Sequence, residues 1–300
     1  MFEDEFVEWA CRFQKRQKNV IIGPGDDAAL VAESGELLVT TDLLADGIHF
    51  HVSTHQPELI GRKALAVSLS DIAAMGGRPI NAVVQVMFPR SMDLEIAKRI
   101  QSGLYALADE FGVAIIGGDT NRWDGGLVIG TTVCGELIGN PWRIIGATAG
   151  DRILVSGSLG GSIAGHHLTF TPRCELAKYL ATHYEIDAAT DISDSLSIDL
   201  ANMATSSRVG ALLDLDKIPI NEAARKMSSP EKSPLQHAMT DGEDFELIFA
   251  VDPETAARIS KDGELPVALT DIGEFLEGTG IYARQVDGGR SEIDPSGYVH

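Results

Sequence analysis

The stretch Gly23 to Phe50, GPGDDAALVAESGELLVTTDLLADGIHF, limits the possible folds more than any other part of the chain. A glycine-broken turn delivers Asp26 and Asp27, and an apolar, β-branched run from Leu37 to Thr41 then reads as a strand that ends on Asp42. Thr40 and Thr41 flank that acid, and His49 follows a turn later. Oxygen-rich side chains on rigid elements suit a hard cation such as Mg²⁺, which in turn attracts phosphate. Asp is also an ordinary turn and strand-end residue, so this stretch alone leaves both readings open.

The pattern recurs along the first half. Residues 1–20 read as a short amphipathic helix with Phe2, Phe6, Trp9 and Phe13 at helical spacing, a core-packing stripe. Pro57 opens a helix to about Met75, stopped by Gly76-Gly77. At 100° per residue Ile60, Ala64, Val67 and Met75 share one face, and Asp71 falls in its middle. A carboxylate placed there must be paired, hydrogen-bonded or metal-bound. Asn81 to Phe88 reads as a strand, Ser91 as the cap of a helix reaching Phe111 and Gly112, and Val113 to Ile116 as a strand running into Gly117-Gly118-Asp119-Thr120. Leu127 to Leu137 alternates like a long strand, and the first half is therefore expected to be a β/α domain on which Asp27, Asp42, Asp71 and Asp119 converge.

Periodicity lapses from Asn140 to Asp151, where a domain boundary is expected, giving domains 1–145 and 146–300. The second half opens with a strand over Arg152 to Ser156 and the loop Gly157-Ser158-Leu159-Gly160-Gly161-Ser162. Such a loop can offer backbone N–H groups to phosphate or serve as a tight packing turn; it lacks the Lys and Ser/Thr of a P-loop. Helices are expected over 172–183, 196–207 and 253–261, and strands over 209–215, 245–251 and 267–272. Ala189 to Asp194 should pass from strand to loop, ending in the oxygen-rich set Asp191-Ile192-Ser193-Asp194.

Composition narrows the function. A net charge of −20 argues against a nucleic-acid or anionic-membrane surface, and a phosphate-handling acidic chain needs metal ions or local Arg to offset repulsion. Cys11, Cys134 and Cys174 show no metal-binding or disulfide spacing, the acidic N-terminus is no signal peptide, and no stretch is long enough to span a membrane; the expected location is the cytoplasm. His49, His51 and His55 lack companion ligands at zinc spacing, and no nucleophile elbow is present for a Ser-His-Asp hydrolase.

In this order GDDAA (25–29), TTDLLADGIHF (40–50), KALAVSLSDIAAMGG (63–77), GGDT (117–120), Arg143 to Asp151, SGSLGGSIAG (156–165), DISD (191–194), GEDFELIF (242–249) and the terminal Gly-Tyr-Val-His cover nearly the whole chain. Together they resemble the thiamine-monophosphate kinases of the aminoimidazole-ribonucleotide-synthetase superfamily. The resemblance implies ATP-dependent phosphorylation of thiamine monophosphate to thiamine diphosphate with several Mg²⁺ ions. It implies metal ligation by Asp27, Thr40, Thr41, Asp42, Asp71, Asp119, Asp191 and Asp194. Tyr105, Gly118, Asp119, Arg143 and Ser193 would meet ATP, and His49, Glu243 and Tyr298 the thiamine substrate. The implied fold is α/β in two domains: an N-terminal ATP/Mg and dimerisation domain whose sheet joins its copy's into a barrel, and a C-terminal α/β sandwich completing the active site of a homodimer. No general base is expected, because the attacking phosphate oxygen is already largely ionised at pH 7. Ser195 stands where the family usually has Gly after DISD, Asp241 and Phe245 depart from GGEDYEL, and Thr169-Phe170-Thr171-Pro172-Arg173 keeps only half of Arg-Pro-x-Pro-Arg. Two alternatives remain: another ATP-dependent synthetase of the superfamily, and a catalytically silent nucleotide-binding dimer.

Overall fold

Two apolar helices supply the frame of the first unit. A computed structural model describes Trp9, residues 20–22, 30–31 and 36–298; the expected helix over 1–20 (Trp9, and Val20, which is in a strand, apart), Asp26 and Asp27, and the last two residues lie outside them. Helix α1, Pro57–Ala74, is buried around most of its circumference, as its apolar composition dictates. It crosses α2, Leu94–Phe111, where Gly61 and Gly103 meet the facing backbone: a Cβ on Gly103 would fall 1.8 Å from the Glu58 carbonyl oxygen. The cap of α2 is Asp93, whose carboxylate accepts the Glu95 N–H at 2.7 Å, rather than the expected Ser91. Gly112 closes the helix in the left-handed conformation, φ 67°.

These helices accompany a four-stranded sheet ordered β3-β6-β4-β5, with β3 Leu37–Ala45, β4 Gly77–Pro89, β5 Ala114–Trp123 and β6 Val128–Leu137. Two shorter strands, β1 Val20–Ile22 and β2 Leu30–Val31, pair antiparallel with each other. The long strands overrun the expected limits. Asp42 lies inside β3, opposite Thr131 of β6, not at the strand's end. Gly117 to Thr120 belong to β5 itself, because parallel pairing with Val83 to Val86 of β4 overrides the local turn preference of Gly-Gly-Asp.

The second unit is built on a seven-stranded mixed sheet ordered β13-β12-β9-β11-β7-β10-β8. Its strands are β7 Arg152–Ser156, β8 Ala188–Asp191, β9 Gly210–Leu213, β10 Leu247–Val251, β11 Leu269–Leu276, β12 Ile281–Arg284 and β13 Arg290–Ile293. Every residue of β10 is buried, so both faces of the sheet are covered there. Ile248 and Ala250 join Leu196, Leu200 and Met203 of helix Leu196–Ser207 in one core, while Phe249 packs edge-on against Trp142 at 5.6 Å. The chain forms two compact units, 1–72 with 78–137, and 73–77 with 138–300. Among the described residues no helix is long and apolar enough to cross a membrane.

Candidate functional site

In the first unit, strand alternation decides which oxygens meet. Even-numbered residues of β3 turn inward while Leu37, Val39, Thr41 and Leu43 face outward, so Thr40 and Asp42 share the inner face two residues apart. One turn of α1 offers them Ser68 and Asp71, three residues apart and hence on one helical face. Thr40 Oγ1 donates to Asp71 Oδ2, and Ser68 Oγ donates to Asp42 Oδ2 at 2.5 Å. Ser68 also meets the Thr131 hydroxyl at 2.8 Å, and Thr131 in turn donates to the Ala64 carbonyl. Burial pushes the Asp42 carboxyl upward, opposed by the Ser68 hydrogen bond and by nearby His49. His49 accepts the Ala45 N–H through Nδ1, and fully buried Lys63 donates to the His49 carbonyl at 2.7 Å.

Other assigned residues stand apart from this pair of carboxylates. Thr41 points to the opposite face of β3 and bonds to the Thr131 carbonyl and the Thr132 hydroxyl, both at 3.1 Å. Asp119 is on β5, at the sheet edge opposite β3, with its carboxylate accepting the Thr120 N–H. At about 4.8 Å per strand, three spacings put those edges about 14 Å apart along the sheet, beyond the reach of one ion. Gly118 lies against β4, where a Cβ would fall 2.0 Å from the Val84 carbonyl oxygen. Tyr105 is a partly buried residue of α2. Among the described residues no three His, Cys, Asp or Glu side chains are gathered as a metal cluster. Asp27 lies outside the described residues. The donors that do meet are all oxygen (Asp42 and Asp71, with Thr40 and Ser68 beside them), and this hard set fits Mg²⁺ in kind.

In the second unit, one turn gathers the assigned residues. Asp191 ends β8, and Ser193 and Asp194 follow before the helix that Ser195 caps by accepting the Ile198 N–H at 3.1 Å. The backbone at Ser195 is extended, so the residue tolerates a side chain. The Glu243 N–H donates to the Ser193 carbonyl at 2.7 Å, and the Tyr298 N–H to the Asp194 carbonyl at 3.0 Å. Glu243, 50 residues downstream of Ser193, and Tyr298 are thereby tied to adjacent residues of a single turn. Asp199 accepts the N–H groups of both Asp194 and Ser195 at 3.0 Å, and burial holds its carboxyl at about 7. Gly242, Glu243 and Phe245 all have positive φ (71°, 52° and 50°), a strained run of the kind that accompanies functional loops. His167 Nδ1 stands 3.4 Å from the Glu243 carboxylate. Arg143 is exposed, and its carbonyl accepts the Ala189 N–H at 2.9 Å.

The loop 157–162 runs into a single 3₁₀ turn, Ser162–Ala164, and then the four-residue helix His166–Thr169. Its Gly160 N–H is already taken, by both oxygens of Asp244 at 3.0 and 2.9 Å, which favours the packing-turn reading over phosphate binding. Burial, with Glu246 and Asp241 nearby, lifts the Asp244 carboxyl to about 7 against the Gly160 bond. A carboxyl raised in the fold contributes stability that is fully present below its unfolded value of 3.8 and is lost as pH rises through about 7. Asp244→Asn keeps an acceptor for Gly160 without the charge. Thermal melts without nucleotide should show the variant at least as stable as wild type at pH 8, with that advantage shrinking towards pH 5; an advantage that grows on acidification contradicts this assignment.

Ser68, Thr131 and Asp199 escaped the sequence reading. Ser68 and Asp199 had local signals, the i,i+3 spacing of Ser68 to Asp71 and the position of Asp199 four residues after the Ser195 cap; Thr131 becomes visible only through tertiary bonds.

The chain matches the family model "AIR synthase related protein, N-terminal domain" over residues 25–137 and "AIR synthase related protein, C-terminal domain" over 148–285. The thiamine-monophosphate kinase of Rhodopirellula baltica is 40% identical over 99% of this chain and 97% of its own. The crystal structure of the thiamine-monophosphate kinase from Stenotrophomonas maltophilia superimposes with a TM-score of 0.81 at 31% identity, covering 97% of each chain. AaThiL complexed with AMPPCP and TMP gives a TM-score of 0.77 at 26% identity over 98% of this chain and 94% of that chain. With full-length identity and both domain models in agreement, the chain belongs to the thiamine-monophosphate kinase family of AIR synthase related proteins.

Proposed function

We propose that this protein transfers the γ-phosphoryl group of ATP directly to the phosphate of thiamine monophosphate, giving thiamine diphosphate and ADP. The observation that carries the reading is the turn 191–195, which ties Glu243 and Tyr298, the residues assigned to the thiamine end, to Ser193 and Asp194, assigned to nucleotide and metal. The full-length relatives bear the same activity in their names, and AaThiL is complexed with AMPPCP and TMP.

The chemistry asks little of a proton-transfer group, because the acceptor oxygen is already ionised; the difficulty is bringing two polyanions into line. Asp42 and Asp71, with the Thr40 and Ser68 hydroxyls fixing their orientation, would hold one Mg²⁺ in this reading, and Asp27, Asp119, Asp191 and Asp194 would serve further Mg²⁺ ions, while Thr41, turned to the other face of β3, is not placed to join Asp42 and Asp71. Bound there, Mg²⁺ supplies the positive charge that neutralises the phosphates. Tyr105, Gly118, Arg143 and Ser193 meet the nucleotide, and His49, Glu243 and Tyr298 orient the thiamine substrate. Residues 1–145 are the proposed ATP- and Mg-binding domain, and 146–300 hold the turn 191–195.

The reading includes a homodimer whose β3-edged sheets join into a barrel. Its support is the outer face of β3, an edge strand with Leu37, Val39 and Leu43 exposed at 46%, 61% and 66%. The cytoplasm is the proposed location, in keeping with three widely spaced cysteines that show no disulfide spacing.

With carboxylates this close, ATP binds poorly until Mg²⁺ offsets them. Ligands of the folded state raise its melting temperature by mass action. The shift with Mg²⁺ and ATP together is therefore expected to exceed the sum of the separate shifts, and strong ATP binding in excess EDTA contradicts the proposal. Incubation with ATP, MgCl₂ and thiamine monophosphate should yield thiamine diphosphate and ADP in equal amounts on chromatography. ADP with orthophosphate and no thiamine diphosphate places the chain with the superfamily's synthetases instead.

A further inference from the structure

Ser195 and Ser197 are both buried, and both hydroxyls turn to the same distant residue, Ser296. Ser195 Oγ donates to the Ser296 carbonyl at 2.9 Å and Ser197 Oγ donates to it at 2.6 Å. Ser197 Oγ also accepts the Ser296 N–H at 3.0 Å, so one serine side chain occupies both backbone groups of Ser296. Two residues on, the Tyr298 N–H donates to the Asp194 carbonyl. Gly297 between them lies so close that a Cβ would fall 2.4 Å from Ser195 Oγ and 2.6 Å from the Asp194 carbonyl oxygen.

Four hydrogen bonds between residues 194–197 and 296–298 fix the backbone on both sides of Gly297, and with it the direction in which Tyr298 leaves the chain. Three of the four depend on the two serine hydroxyls. We infer that Ser195 and Ser197 are positioning residues that hold Tyr298 in place for the thiamine end of the substrate and so set its binding, not that of ATP. This rests on the reading of Tyr298 as a substrate contact. A side chain held in its bound orientation spares the substrate the cost of ordering it, and that sparing is what the serines contribute.

Ser197→Ala carries the test, because Ser195→Ala also removes the helix cap; the double variant extends it and Ser197→Thr is the rescue. Amide hydrogen exchange in the full-length protein is expected to speed up at Ser296 and Tyr298 in Ser197→Ala, and further in the double variant. KM for thiamine monophosphate should rise about tenfold, equivalent to about 1.4 kcal/mol, with kcat and the KM for ATP each within about twofold. Ser197→Thr, which keeps the hydroxyl, should restore both exchange and KM. A merely structural role predicts instead a common loss of kcat and of affinity for both substrates, and that result overturns the inference. So does faster exchange at 296–298 with KM for thiamine monophosphate unchanged. Failure of the underlying reading looks different: wild type itself then binds ATP yet forms no thiamine diphosphate, while amide exchange still reports whether the serine clasp exists.

Discussion

Asp42→Asn and Asp71→Asn are each expected to lower kcat for thiamine diphosphate formation by at least about a thousandfold, about 4 kcal/mol in the barrier. Neither is expected to lower the melting temperature of the ligand-free protein. Both carboxylates accept a hydroxyl hydrogen bond, from Ser68 and Thr40 respectively, and an amide oxygen can accept the same bond. The substitution therefore spares the local structure and removes charge. For Asp42, whose carboxyl burial pushes upward, losing that charge also relieves a desolvation cost. The split between catalysis and stability is the informative outcome. A residue that merely satisfied a neighbouring loop would show the opposite pattern, some loss of stability with turnover intact. Near-normal turnover in both variants sinks the assignment of these acids to Mg²⁺.

The largest effect on stability is expected at Arg173, which lies outside the assigned site. Its guanidinium forms a two-pronged pair with Glu246, Nε donating at 2.6 Å to Oε2 and the second nitrogen to Oε1. The Glu246 side chain is only 2% exposed and accepts the Ser156 hydroxyl as well, at 2.6 Å. Arg173→Met would leave a buried carboxylate without its counter-charge, which costs about 3–5 kcal/mol. In a protein unit of this size that is a fall in melting temperature on the order of 10 °C. Glu246→Gln in the Arg173→Met background should recover much of the loss, since the uncompensated charge and not the missing contact is the main expense. A double-mutant cycle by urea denaturation measures the coupling directly. A melting temperature within about 2 °C of wild type for Arg173→Met would show the pair to be dispensable.

Much of this arrangement was legible in the sequence, and particular residues show where legibility stopped. Helix α1 and the place of Asp71 within it followed from periodicity and from Gly76-Gly77, because a long apolar helix announces its own ends. Gly117 to Thr120 fell beyond the expected strand 113–116, since Gly, Gly and Asp disfavour strands locally; pairing with β4 decided otherwise, and no local rule contains that pairing. The choice between Ser91 and Asp93 as a cap was a choice between two good caps two residues apart. The Gly160 loop offered phosphate-binding geometry by composition, yet its N–H is occupied by Asp244, more than 80 residues away along the chain. The same holds for Thr40 with Asp71, and for Tyr298 with Asp194: the sequence motifs named the participants, whereas only the fold shows which of them touch. Thr41 illustrates the converse, adjacent to Asp42 in sequence and turned to the other face of the strand.

Direct transfer is the central claim, and isotopic tracing tests it in one step. A single turnover with γ-³²P-labelled ATP, Mg²⁺ and thiamine monophosphate should place the label in thiamine diphosphate, with none retained on the protein. Label appearing as orthophosphate, or remaining covalently on the protein while thiamine monophosphate is unchanged, would contradict it.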